Sequence, residues 1–61
     1  MHPIYYKKSS AYAAARNFIK DSLVVKVVVE YDHFHKAFVV HSLERGERYS
    51  GSSSIDATFT K

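Results

Sequence analysis

The stretch that decides the fold is Leu23-Val24-Val25-Lys26-Val27-Val28-Val29-Glu30-Tyr31. Its β-branched content predicts a strand, and side chains alternate between the two faces of a strand. The first face is entirely apolar and carries Leu23, Val25, Val27, Val29 and Tyr31. On the second face, Val24 and Val28 alternate with Lys26 and Glu30. We therefore expect a helix to cover the first face, and either a terminus or loop of this chain or a partner molecule to cover Val24 and Val28.

The segments around this strand predict a helix and three more strands. Ser9 and Ser10 are N-cap candidates before Ala11–Lys20, which has high helix propensity and apolar residues at a period of 3.6. The further strands are predicted at Ile4–Lys7, Lys36–Glu44 and Ile55–Thr60. The connections are a turn at Asp32–His35, a turn at Arg45–Gly46 and a flexible link at Ser50–Ser54.

The element order predicts one α+β domain over residues 1–61. A single helix packs on a three- to four-stranded antiparallel sheet in the order β-α-β-β-β, with the last strand at an edge. A chain of 61 residues with 46% apolar residues can fold, although it buries only about 60% of the surface that its unfolded form exposes. The chain has no cysteine and no signal-peptide pattern, so we expect a soluble, cytoplasmic protein without a membrane segment.

No pattern of residues predicts a reaction, a metal ion or a cofactor. The four histidines are His2, His33, His35 and His41. The His33-x-His35 pair has no defined third ligand, so we interpret these histidines as exposed loop residues. An RNase-like site that combines His33, His35 or His41 with Arg45 or Arg48 is a minor alternative, and we predict that the chain is not an enzyme. Gly51–Ser54 lacks the lysine and the helix of a phosphate-binding loop, so we interpret it as a linker.

The charge pattern indicates an anionic partner. The net charge is +3, and residues 1–22 account for all of it, with four cations against Asp21. These cations are Lys7, Lys8, Arg16 and Lys20. Tyr12 precedes Arg16 by one helical turn, and an aromatic ring among cations is typical of surfaces that contact phosphates and bases. A solvated helix face is the simpler interpretation of the same residues.

Three functional hypotheses follow. The first is a non-enzymatic binding protein of the accessory or inhibitory kind, such as a phage or mobile element encodes. It would dock on a larger protein or nucleoprotein through Val24, Val28, Phe34 and Tyr12, steered by the cations. The second is direct binding of DNA or RNA through Arg16 and Lys20 with Lys7 and Lys8. The third is a homodimer paired edge to edge through the first or the last strand. No small-molecule substrate is indicated.

Overall fold

The computed structural model describes residues 3–51 and 54–61 and confirms the α+β architecture. Its elements are β1 (Ile4–Tyr5), α1 (Lys8–Phe18), β2 (Val24–Asp32), β3 (Ala37–Glu44) and β4 (Ile55–Thr60). The strands form one antiparallel sheet in the order β1-β3-β2-β4. The long valine strand is therefore central, while β1 and β4 lie at the two edges.

The helix begins earlier than the serines predict. Lys7 is the N-cap residue, in an extended conformation and without a side-chain cap, and Ser9 and Ser10 lie inside the first turn. The helix ends at Phe18, before the predicted Lys20, because Lys20 and Asp21 already donate turn hydrogen bonds to Asn17 and Phe18. Strand β1 is also shorter than predicted and ends at Tyr5.

The core lies between α1 and one face of the sheet. Ala11 and Ala15 are fully buried, and their small side chains let the helix approach the strands closely. They pack against four buried valines: Val24, Val27, Val29 and Val40. Burying each valine contributes about 1.5–3 kcal/mol, which makes this layer the main source of stability in a short chain.

A β-bulge corrects the predicted alternation of β2. The register shifts between Val24 and Lys26, so one extra residue is inserted and the side chains beyond it change faces. Val24 consequently lies on the helix side with Val27, and the prediction that it shares the second face with Val28 is wrong. Leu23 and Val25, which were predicted to face the helix, are 64% and 40% exposed.

The second face of the sheet is covered by the chain itself. Val28 is only 1% exposed, and its cross-strand neighbour His41 packs against the ring of Tyr49 at 5.0 Å between centroids. The Tyr49 hydroxyl lies so close to Gly51 that a Cβ at that position would overlap it. The segment after β3 therefore folds back over the sheet, and the glycine is needed because it has no side chain.

Candidate functional site

The turn between β2 and β3 is held by Asp32. One carboxylate oxygen accepts the N–H groups of Phe34 and His35 at 2.9 and 3.2 Å, and the other lies 2.7 Å from His35 Nδ1. These bonds, first from the His35 ring and then from its backbone, hold the pKa of Asp32 below its usual value of 3.8. Lys36 completes the turn with a φ of +52°, a conformation that glycine usually supplies. Lys36 thus takes the left-handed position for which this turn has no glycine, while Asp32 supplies the side-chain hydrogen bonds.

This turn presents Phe34 to solvent. The side chain is 87% exposed, and its ring touches only His35, at 4.9 Å between centroids, among the ring contacts of the described residues. A cleft of about 420 Å³ lies beside it, lined in part by Tyr31, His33 and Val39. The structure therefore places the predicted binding residue Phe34 in an exposed position on a turn with defined hydrogen bonds.

A second exposed aromatic residue lies at the same end of the sheet. Strand β1 is antiparallel to β3 and pairs Tyr5 with Phe38, so the residues after β1 emerge beside the β2–β3 turn. Tyr6 is 77% exposed there, and Lys7 follows it. We call Tyr6, Lys7 and residues 33–36 the hairpin end. The sequence indicates Tyr6 as one of several aromatic residues of the type enriched at interfaces, but only strand pairing places it at the same end of the sheet as Phe34.

Tyr12 has an internal role. Its hydroxyl donates a hydrogen bond to Asp56 Oδ2 at 2.5 Å, and its ring meets that of Phe59 edge-on at 5.6 Å between centroids. The ammonium group of Lys8 lies over the same ring at 5.4 Å and 3.7 Å from Asp56. The hydrogen bond to Asp56 is the largest cause that raises the pKa of Tyr12. These contacts join α1 to β4 and occupy two of the residues predicted to bind a partner.

Val24 and Val28 are closed to a partner. They are 6% and 1% exposed, the first beneath α1 and the second on the face covered by the segment that carries Tyr49. The prediction of an apolar docking surface at these two valines is therefore wrong. Val24 is buried because of the bulge in β2, and Val28 is buried because the segment after β3 folds over the sheet. Neither feature can be recognised from the residue types in the sequence.

The predicted basic patch divides between the two ends of the molecule. Lys7 and Lys8 lie at the start of α1, while Arg16 occupies its last turn and Lys20 follows it. At 1.5 Å per residue, Lys7 and Arg16 are separated by about 14 Å along the helix. Lys7, Arg16 and Lys20 are exposed, and none forms an ion pair within residues 3–51 and 54–61.

Counted by position in the fold, all the excess charge lies at the end opposite the hairpin. The half of the molecule that contains the β2–β3 turn holds three cations and three carboxylates, so its net charge is zero: Lys7, Lys8 and Lys36 against Glu30, Asp32 and Asp56. The other half holds three carboxylates, Asp21, Glu44 and Glu47, against six cations. We call these cations the basic end: Arg16, Lys20, Lys26, Arg45, Arg48 and Lys61. The excess there is +3, the net charge of the whole chain.

A cluster of titratable residues lies where the segment that carries Tyr49 packs on the sheet. His41 Nε2 lies 3.0 Å from Glu30 Oε1, and both side chains are less than one-fifth exposed. Burial raises the pKa of Tyr49, and the neighbouring Glu30 carboxylate raises it further. His41 and Arg48 line a cleft of about 270 Å³, whereas His33 and His35 lie at the hairpin end. The residues of the hypothetical RNase-like site are thus not gathered at one place.

Within the part of the chain that the structure describes, these surfaces are the candidate binding sites. Among the described residues, no group of three or more His, Asp or Glu side chains is arranged to hold a metal ion. His2, Ser52 and Ser53, which entered the histidine and linker interpretations, lie outside the described residues. The helix of the described chain falls short of the length and apolar character that crossing a membrane requires. No family of known proteins, no curated protein and no solved structure matches this chain.

Proposed function

We propose that this chain is a non-enzymatic binding protein that docks on a larger protein through the hairpin end. The observation that carries the proposal is Phe34, a phenylalanine 87% exposed on a turn held by Asp32. Exposing such a ring to water is unfavourable, and aromatic residues are enriched in protein interfaces. Tyr6 adds a second ring at this end, and Lys7 and Lys36 add a charged rim.

The rigid turn favours recognition over a purely structural role. A segment whose main chain is ordered before binding loses less conformational entropy in the complex. The backbone hydrogen bonds from Phe34 and His35 to Asp32 order the main chain of the turn, while the Phe34 ring stays 87% exposed. The partner that fits is a protein with an apolar pocket for Phe34 and acidic groups near Lys7 and Lys36. The cysteine-free composition supports a role in the reducing cytoplasm.

The test is affinity capture from an extract of the source cells, with proteins quantified by mass spectrometry. The wild-type chain is compared with Phe34→Ser and with Leu23→Ser, a matched control in which an apolar residue 64% exposed is removed at the other end. We expect a protein retained by the wild type and by Leu23→Ser to be lost with Phe34→Ser. Equal retention by all three chains would contradict docking through the hairpin end.

A second candidate function is direct binding of nucleic acid by the basic end. The specific observation is that the whole excess of +3 lies there, around Arg16 and Lys20. Phosphate contacts by these cations would make the affinity fall steeply with salt. The measurement is fluorescence anisotropy of DNA and RNA oligonucleotides at several salt concentrations.

A charge-matched pair of variants separates this candidate from unspecific attraction. Arg16→Glu with Lys20→Glu changes the net charge by the same amount as Lys7→Glu with Lys36→Glu. Binding by the basic end predicts that only the first pair abolishes retention of nucleic acid. If both pairs weaken binding equally, net charge and not the basic end accounts for it.

A further inference from the structure

The two edges of the sheet differ in how they are protected. The edge formed by β1 is two residues long and follows Pro3, which has no N–H to offer a neighbouring strand. The edge formed by β4 is six residues long, contains no proline and has no strand on its outer side within the described chain. An unprotected edge of this kind can pair with another strand.

The backbone groups that β4 offers can be assigned from two hydrogen bonds. The Tyr31 N–H donates to the Ser54 carbonyl on the β4 side, while the Val40 N–H donates to Pro3 on the β1 side. Because backbone groups point to alternate edges along an antiparallel strand, Val27 and Val29 also point toward β4. Their register partners Phe59 and Ala57 point back at them. Thr58 and Thr60 consequently direct their N–H and C=O groups to the free edge.

Charged side chains on an edge strand can prevent pairing with another strand, but the two charged side chains at β4 form contacts within the chain. The Asp56 carboxylate accepts the Tyr12 hydrogen bond and lies near Lys8 on the helix side. The Lys61 ammonium group donates to the Asp21 carbonyl at 2.5 Å. The register shift in β4 lies between the partners of Val29 and Glu30, so it leaves the segment from Ala57 to Thr60 regular.

We propose that a second copy of this chain pairs with β4, antiparallel and edge to edge, around a two-fold axis at Phe59. In this register Thr58 of one copy exchanges main-chain hydrogen bonds with Thr60 of the other, and the axis repeats the exchange. The half-buried Phe59 rings face each other in the pair where side chains approach most closely, next to Tyr12.

The strand is complementary to itself in this register. Lys61 falls opposite Ala57 of the second copy, so no like charges oppose each other across the axis. Both helices lie on the same side of the joined sheet. Since each helix packs over β2 and β3, a strand spacing of about 4.8 Å separates the two helices by roughly 19 Å, which leaves room for both.

Sedimentation velocity over a wide range of concentration tests the dimer. The wild type is expected to shift from the 7.0 kDa chain toward twice that mass as the concentration rises. Thr60→Pro removes an outward N–H that serves no strand of the described chain and is expected to remain a monomer, whereas Thr60→Val keeps the N–H and should dimerise like the wild type. A wild type that is monomeric throughout, or a dimer unchanged by Thr60→Pro, would overturn the proposal.

Hydrogen exchange in the wild type gives a readout that does not depend on a variant. The Thr58 and Thr60 amides should exchange more slowly as the concentration rises, because pairing buries them, while the Ser10 amide at the start of α1 should not change. Fast, concentration-independent exchange at both threonines would equally overturn the proposal. A dimer that is lost with Phe34→Ser and not with Thr60→Pro would do the same, since it would assign the contact to the hairpin end.

Discussion

The hydroxyl of Tyr12 donates a hydrogen bond to Asp56 across 44 positions of the sequence and so ties α1 to the edge strand β4. We expect Tyr12→Phe to lower the free energy of unfolding by about 0.5–1 kcal/mol, because it removes this bond while the ring still packs on Phe59. Urea denaturation measures the change.

The control is a double-mutant cycle with Asp56→Asn. Because both changes break the same contact, the double variant should be less destabilised than the sum of the single variants. Strict additivity would show that the two side chains do not interact in solution.

The pH dependence on the alkaline side follows from Tyr12 and Tyr49. Both have a pKa above 10.0, Tyr12 mainly through Asp56 and Tyr49 mainly through burial. The folded chain therefore holds these protons longer than the unfolded chain, and stability falls as the pH rises above 10.0. Denaturant titrations on both sides of pH 10.0 should show a weaker loss for Tyr49→Phe. An identical pH profile would contradict the assignment for Tyr49.

At acidic pH, the lowered pKa of Asp32 makes stability change with pH in the opposite direction. The carboxylate contributes stability that is present above pH 3.8 and is lost as the pH falls through its lower value in the folded chain. Asp32→Asn keeps an acceptor for the turn but cannot titrate, so its stability should depend less on pH in this range. Acid titration followed by circular dichroism compares the two chains, and parallel curves would exclude the predicted contribution.

Because of the bulge in β2, we expect alanine substitutions at the adjacent Val24 and Val25 to differ in their effect on stability. Val24→Ala should lower the free energy of unfolding by about 1.5–2.5 kcal/mol, because it removes buried methyl groups beneath α1. Val25→Ala should cost about 0.5 kcal/mol or less, since that side chain is 40% exposed. Denaturation of both variants measures the difference, and a reversed order would support the simple alternation without a bulge.

Much of the fold could be predicted from local patterns. The valine run, the alanine-rich helix and the alternation of residues 55–60 each specify an element type through propensity and periodicity, and the element order then allows few architectures. Helix ends were predicted less well, because Lys7 caps α1 without a side-chain bond and gives no sequence signal. The exposure of Phe34 was expected from its turn, and the structure places it there.

The surfaces were harder to predict, because they depend on which residues come together. Val24 and Val28 have the composition of an interface, yet a single inserted residue and the return of Tyr49 over the sheet bury both. The pairing of β1 with β3 brings Tyr6 to the hairpin end, and no spacing along the chain indicates this. The cations of the N-terminal third likewise separate, since an 11-residue helix carries them to opposite ends.

By itself the sequence determined the kinds of element, their order and the absence of disulfide chemistry, because these depend on local propensity and residue types. Only the tertiary structure decided which apolar residues are sealed, that the charge excess lies at one end and that the β4 edge is open. Those properties depend on strand register and on the path of the chain after β3. A register shift of one residue moves side chains to the other face of the sheet without any change in composition.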